Sequence, residues 1–129
     1  RQAEAVDTGS ILRLFSSPLG KRIMSADARK REFKFSLLCP AEKFFPGGEG
    51  ESVLMQGVID CMIEENGELT IIDYKTDRVC GEETAERAES YARQLEAYAY
   101  AAQRMTGKPV RECVLYFLYS GETVKSSCK

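Results

Sequence analysis

Residues 52–76, SVLMQGVIDCMIEENGELTIIDYKT, decide the fold. Asn66-Gly67 is a strong two-residue hairpin signal, because both central positions of that turn need positive φ and these two residues tolerate it. Ser52–Glu64 therefore reads as a long strand and Glu68–Lys75 as the strand returning antiparallel to it. In such a hairpin Glu65 lies opposite Glu68, and counting back along both strands places Asp60 opposite Asp73.

Directly opposed side chains of an antiparallel pair have Cβ atoms about 4.5–5.5 Å apart, and like charges there repel. A positive group is expected between them. Lys75, two residues beyond Asp73, projects from the same face, while Ile72 and Tyr74 point to the other. Two close carboxylates with room for water are how a protein holds Mg²⁺, which prefers oxygen ligands and keeps several waters. Such an ion polarises a phosphoryl oxygen and lowers the pKa of bound water, and Lys75 would orient the attacking water or steady charge on the phosphoryl oxygens. Phosphodiester hydrolysis is the natural reaction. The bland alternative is a solvated charge ladder on an exposed sheet face. Val58, Met62 and Ile71 are expected on the same face, which sets the acids among apolar residues and favours a site.

Working outward, Arg31–Leu38 alternates, with Phe33, Phe35 and Leu37 on one face and Glu32, Lys34 and Ser36 on the other, the period of a half-buried strand ended by Pro40. The Gly-rich Phe45–Gly50 is a loop. Upstream, residues 3–15 read as an amphipathic helix through Ala5, Val6, Ile11, Leu12 and Leu14, with a second short helix from Pro18 to about Met24. Downstream, Thr84 to about Met105 reads as one long helix with Tyr91, Leu95, Tyr98, Ala102 and Met105 as its apolar stripe, stopped at Gly107-Lys108-Pro109. Cys113–Tyr119 is a continuous apolar and aromatic run, as in a strand covered on both faces. The expected architecture is a single α/β domain over residues 1–129, in the order helix, three-stranded meander, long helix and further strand, in a central mixed sheet flanked by helices.

The 129 residues suffice for one core. No apolar run reaches the roughly 18 residues of a membrane span and no signal core is present, so the expectation is a soluble, cytoplasmic protein with no membrane partner. The five cysteines are widely separated, without a CxxC pair, and there is no histidine. A zinc site is therefore not expected; the cysteines are read as reduced thiols, with Cys61 and Cys113 in strand core. A net charge of −2 and a pI near 5.3 argue against binding nucleic acid through a broad basic surface. No GxxxxGK[ST] phosphate loop is present, so any ATP chemistry belongs elsewhere. The chain opens on Arg1 and reads as a piece of a longer protein.

Three segments in order, Gly57-Val58-Ile59-Asp60, Ile71-Ile72-Asp73-Tyr74-Lys75-Thr76 and Gln94-Leu95-Glu96-Ala97-Tyr98, resemble RecB-family nuclease domains of the PD-(D/E)XK superfamily, of the kind carried by AddA-type helicase-nucleases. The resemblance covers roughly Arg31 to Tyr119. It implies a restriction-endonuclease-like core, with Asp60 and Asp73 as metal ligands, Lys75 as the catalytic lysine, and Gln94 with Tyr98 as a helix motif facing the site. The last two are one helical turn apart on one face, although Tyr98 also fits the apolar stripe. Glu32 resembles the glutamate of an upstream E-x-P-F segment, with Lys34 in place of its proline. Some family members have a histidine near the start of the domain, and this chain has none. Iron-sulfur relatives need grouped cysteines, so no cluster is expected.

The resemblance further implies a magnesium-dependent deoxyribonuclease, an exonuclease accepting Mn²⁺ as a substitute. It would serve an ATP-driven helicase-nuclease in double-strand break repair and recombination, acting on single-stranded DNA ends beside helicase domains of the same chain and an AddB-like partner. Two rivals stand beside it: a noncatalytic nuclease-like module for DNA binding or assembly, which would be expected to have lost an acid or the lysine, and a stand-alone RecB-like exonuclease.

Overall fold

The computed structural model describes residues 8–43, 47 and 49–127. Its framework is a five-stranded mixed sheet with helices on both faces. In chain order the elements are α1 (Thr8–Ser16), α2 (Pro18–Ser25), β1 (Ala28–Pro40), a 3₁₀ turn (Ala41–Lys43), β2 (Ser52–Glu65), β3 (Glu68–Lys75), α3 (Glu82–Ser90), α4 (Ala92–Thr106), β4 (Val110–Phe117) and β5 (Glu122–Ser127). Ala5 and Val6 of the expected first helix lie outside the described residues, as does part of the expected loop at Phe45–Gly50.

Local chemistry accounts for most boundaries. The Ser17 hydroxyl accepts the Gly20 N–H at 3.0 Å as N-cap of α2, and Pro18 opens that helix where no N–H is required. Asn66 and Gly67 take φ of 55° and 81°, as the two-residue turn demands. The helix that ends before Pro109 is closed by Gly107 at φ 77° in the left-handed region.

The meander β1-β2-β3 is antiparallel throughout, β4 adds in parallel to β3, and β5 pairs antiparallel with β4 at the far edge. Parallel pairing needs a crossover, which α3 and α4 supply. They cover one face, burying Leu95, Ala99, Ala101 and Ala102 against Ile71, Cys113, Leu115 and Phe117. The opposite face packs Leu14, Leu19 and Ile23 of α1 and α2 on Cys61, Ile63, Ile72, Val114 and Tyr116. Strand β4 is thus covered on both sides, as its unbroken apolar run requires. At the turn end of the β2/β3 hairpin, Arg22 of α2 reaches Glu65 through Nη2 (2.6 Å) and Nε (3.2 Å), and Glu112 of β4 at 2.9 Å. Glu65 holds the Arg22 guanidinium above its ordinary pKa, and Arg22 in turn lowers that of Glu65.

Several expectations are corrected. The long helix is two, broken at Tyr91 (φ −98°, ψ 2°) without a Gly or Pro to mark the break. Met105 lies exposed outside the buried stripe. Strand β1 is longer than its alternating segment, β4 ends at Phe117 before Leu118 and Tyr119, and β5 adds a strand that the sequence pattern does not announce. Cys39, Cys61 and Cys80 are free thiols, whereas Cys113, buried in β4, is disulfide-bonded; spacing alone does not reveal such a pairing.

Candidate active site

The hairpin register is the expected one from Glu65↔Glu68 down to Cys61↔Ile72, where the β2/β3 ladder stops. The next pair in that register is Asp60 and Asp73. There the strands part, and the Asp60 Oδ2 accepts the Tyr74 backbone N–H at 2.9 Å. On the other side of β2, Asp60 faces Glu32, which takes φ of +51°. The β1/β2 ladder omits this one pair and resumes in the same register, from Arg31↔Cys61 to Phe33↔Ile59.

This interruption reverses the strand's alternation. Before it, Met55 and Ile59 face α3 and α4 together with Phe33, Phe35 and Leu37; after it, Met62 faces those helices and Cys61 and Ile63 face α1 and α2. The expectation that Val58 shares the face of Asp60, Met62 and Ile71 therefore fails. Val58 is exposed, because a period-2 count does not carry through the reversal at Asp60. Met62 and Ile71 are buried beneath the α3/α4 layer as expected.

Asp73 sits near the carboxyl end of β3, the central strand, with β4 parallel beside it. It is 4% exposed, which removes the solvated-ladder reading. Its Oδ2 lies 2.7 Å from the Lys75 Nζ as an ion pair, yet accepts no hydrogen bond of good geometry. Burial, and then the neighbouring Asp60 carboxylate, push the Asp73 pKa up to about 6 against the opposing pull of Lys75.

Lys75 also donates to Gln94 Oε1 of α4 at 2.9 Å, so sheet and helix meet at this ammonium. One helical turn further, Tyr98 packs edge-on against Phe35 with ring centroids 5.8 Å apart. Burial and the negative charges of Asp73 and Asp60 push its phenol pKa up to about 12. Tyr98 thus belongs to the core packing and also feels the charges of the two acids. Gly57 makes room for this packing, since a Cβ there would stand 2.8 Å from Phe35 Cζ and 3.5 Å from Tyr98 Cε1.

Asp60, Asp73, Lys75, Gln94 and Tyr98 are brought together. Glu32 is exposed opposite Asp60 and makes no side-chain hydrogen bond or ion pair among the described residues. Periodicity places Tyr91 only in the apolar stripe, but its ring lies 3.9 Å from the Lys75 Nζ. Its position one helical turn before Gln94 is the signal that could have found it.

For a metal ion, two carboxylates are available; among the described residues no third Asp, Glu, Cys or His completes a larger cluster. The pair fits Mg²⁺, which is bound through one or two carboxylates plus water and substrate phosphates. The buried Asp73 Oδ2, lacking a well-aligned donor, is the atom most suited to a cation.

A carboxylate near the end of the central strand, a second on the neighbouring strand, an ammonium two residues on and a helix laid across them define a class of nuclease fold. The chain belongs to the PD-(D/E)XK nuclease superfamily, whose family model matches residues 6–127. It is similar to an ATP-dependent helicase/nuclease subunit of Bacillus cereus, 40% identical over 134 residues covering 96% of this chain and 11% of that protein. The corresponding subunit of Carboxydothermus hydrogenoformans is 43% identical over 117 residues, covering 89% and 10%, and that of Clostridium acetobutylicum 33% over 129 residues, covering 97% and 10%. The chain spans about a tenth of the length of these curated relatives. Its fold is also that of the crystal structure of SSO0001, with a TM-score of 0.51 and 17% identity, covering 90% of this chain and 47% of that one.

Proposed function

We propose that this chain is the metal-dependent DNA nuclease module of an ATP-dependent helicase-nuclease. The observation that carries the reading is the near-complete burial of Asp73 beside Asp60, with Lys75 at 2.7 Å as the local counter-charge. Burying one carboxylate beside a second, partly exposed one is costly, and the arrangement is intelligible if a cation completes it.

In this reading Asp60 and Asp73 hold Mg²⁺, for which Mn²⁺ substitutes, and the bound ion supplies Lewis-acid polarisation of a phosphoryl oxygen and a more acidic water. Asp60 is steadied by the Tyr74 N–H. Lys75 offers its ammonium to the charge that develops on the phosphoryl oxygens, and Gln94 orients Lys75. Tyr98 walls the site against Phe35. Glu32 borders the centre across β2 without joining it.

The relatives' description as ATP-dependent helicase/nuclease subunits supports placing residues 1–129 as one nuclease domain of a longer chain, with ATP bound only by its helicase part. The substrate proposed is DNA at single-stranded ends, cut exonucleolytically during double-strand break repair and recombination in the cytoplasm, with an AddB-like partner. No iron-sulfur cluster is part of the proposal. No helix of the described residues is long and apolar enough to cross a membrane.

The test is cleavage of end-labelled single-stranded DNA with Mg²⁺, Mn²⁺ or EDTA, beside an Asp73→Ala control. Cleavage that needs metal and is lost in the variant is expected. Cleavage that persists in EDTA, or that survives Asp73→Ala, would overturn the assignment.

A further inference from the structure

Tyr91 occupies the break between α3 and α4, where its backbone N–H still bonds to Ala88 and its carbonyl already accepts Leu95 N–H. The break aims the ring at the Lys75 ammonium, 3.9 Å from the ring centroid. The phenol donates to the Asp77 carboxylate, 2.9 Å from Oδ2 and 3.1 Å from Oδ1. Asp77 is gripped from α3 by Arg87 Nη1 at 2.6 Å. Burial alone would raise the Asp77 pKa, but Arg87 and Tyr91 outweigh it and hold the carboxylate below its ordinary value. Arg87, Asp77 and Tyr91 therefore form a brace whose free end is the aromatic face beneath Lys75.

We propose that Tyr91 is a positioning residue for Lys75, an inference that rests, for its catalytic consequence, on the reading of Lys75 as the working ammonium of a nuclease. A lysine side chain is a point charge on a flexible four-carbon stem. Among the described residues Lys75 has three partners: Asp73 Oδ2, Gln94 Oε1 and the Tyr91 ring. Asp73 cannot give its full charge both to the ammonium and to a second cation. When that carboxylate is engaged elsewhere, Gln94 and the ring keep the ammonium in place. The ring does so through its quadrupole, which attracts a cation without neutralising it or accepting its proton, and so leaves the ammonium free to donate to a phosphoryl oxygen.

Two measurements on the chain test this. The first is the ¹H shift of the Lys75 ε-methylene, assigned by comparison with Lys75→Arg. It is expected upfield of an exposed lysine through the ring current of Tyr91, and to return to the exposed value in Tyr91→Leu. The second is single-stranded DNA cleavage with Mg²⁺ for Tyr91→Phe, for the same position carrying progressively fluorinated phenylalanines, and for Tyr91→Leu. Fluorination weakens the negative ring face while nearly preserving shape, so a merely structural aromatic would give a flat series. The expected result is a stepwise fall in kcat along the series, reaching about tenfold in Tyr91→Leu, with KM for DNA and the melting temperature of the fluorinated proteins unchanged. An unshifted ε-methylene in the wild type, or a flat kcat series, overturns the positioning role and leaves the nuclease reading standing. A shifted ε-methylene in a folded wild type that cleaves nothing overturns the nuclease reading and leaves the Tyr91–Lys75 contact standing.

Discussion

The Asp60 carboxylate accepts the Tyr74 backbone N–H at 2.9 Å, one step past Cys61↔Ile72, the last pair of the β2/β3 ladder. A side chain here takes over a hydrogen bond from a neighbouring strand's main chain. The proposed metal ligand is therefore also a structural closure of the hairpin, and the two duties are separable by substitution.

Asp60→Asn keeps a carbonyl oxygen able to accept the Tyr74 N–H but loses the charge. Its unfolding free energy should stay close to wild type while metal-dependent cleavage drops at least about a hundredfold, a loss of the order that one electrostatic group supplies in such sites. Asp60→Ala should lose cleavage equally and in addition about 1–2 kcal/mol of stability from the unsatisfied N–H. Chemical denaturation beside the cleavage assay checks both.

Asp73 and Lys75 fail differently. A ligand that binds only the folded state raises its stability, by about 1.4 kcal/mol at tenfold excess over Kd. Wild type and Lys75→Ala should both show a Mg²⁺-dependent rise in melting temperature, and Asp73→Ala should show none. Neither variant should cleave efficiently. An equal rise in wild type and Asp73→Ala would refute the ligand assignment.

The Arg22–Glu65 pair predicts an acid limb. Glu65 is held below its ordinary pKa of 4.5, chiefly by Arg22, so in that range the folded state binds fewer protons than the unfolded chain. Its stabilising contribution is complete above about pH 5, and is lost as pH falls below 4.5 through the lowered pKa. The stability difference between wild type and Glu65→Gln should be constant near neutrality and shrink towards zero on acidification. Urea denaturation across that range measures it.

Gly57→Ala places a Cβ 2.8 Å from Phe35 Cζ. Overpacking of this kind costs about 1–3 kcal/mol, and displacing Phe35 disturbs the edge contact with Tyr98. Phe35→Leu should relieve the clash, so the double variant should be less destabilised than the sum of the singles. Additive losses over the four proteins would show that the ring is not what the glycine accommodates.

How much of this is legible in the sequence follows from where local rules hold. Asn66-Gly67 fixes the hairpin register, and with it the approach of Asp60 to Asp73, because a two-residue turn leaves no freedom in pairing. The same-face position of Lys75 and the pairing of Gln94 with Tyr98 on one helix face follow from periodicity alone. The failures lie where periodicity is broken by something residue type does not announce. The alternation of β2 reverses at Asp60 and leaves Val58 on the exposed side, and Tyr91 breaks a helix without Gly or Pro. The polar β5 is a short edge strand with little apolar alternation to betray it. That β4 runs parallel to β3 is set by the α3–α4 crossover, a tertiary matter.

The reversal at Asp60 has a consequence for how the acid keeps its address. On one side of it Ile59 is locked into one apolar layer; on the other Cys61 is locked into the opposite layer. Sliding β2 by a residue in either direction would pull one of these anchors into water or drive a polar group into oil. Asp60 thus behaves like the node between two out-of-step waves, held where it is by the hydrophobic demands of its neighbours. Its placement would persist in a variant stripped of the carboxylate, which makes this position a suitable one at which to exchange the ligand chemistry and keep the scaffold.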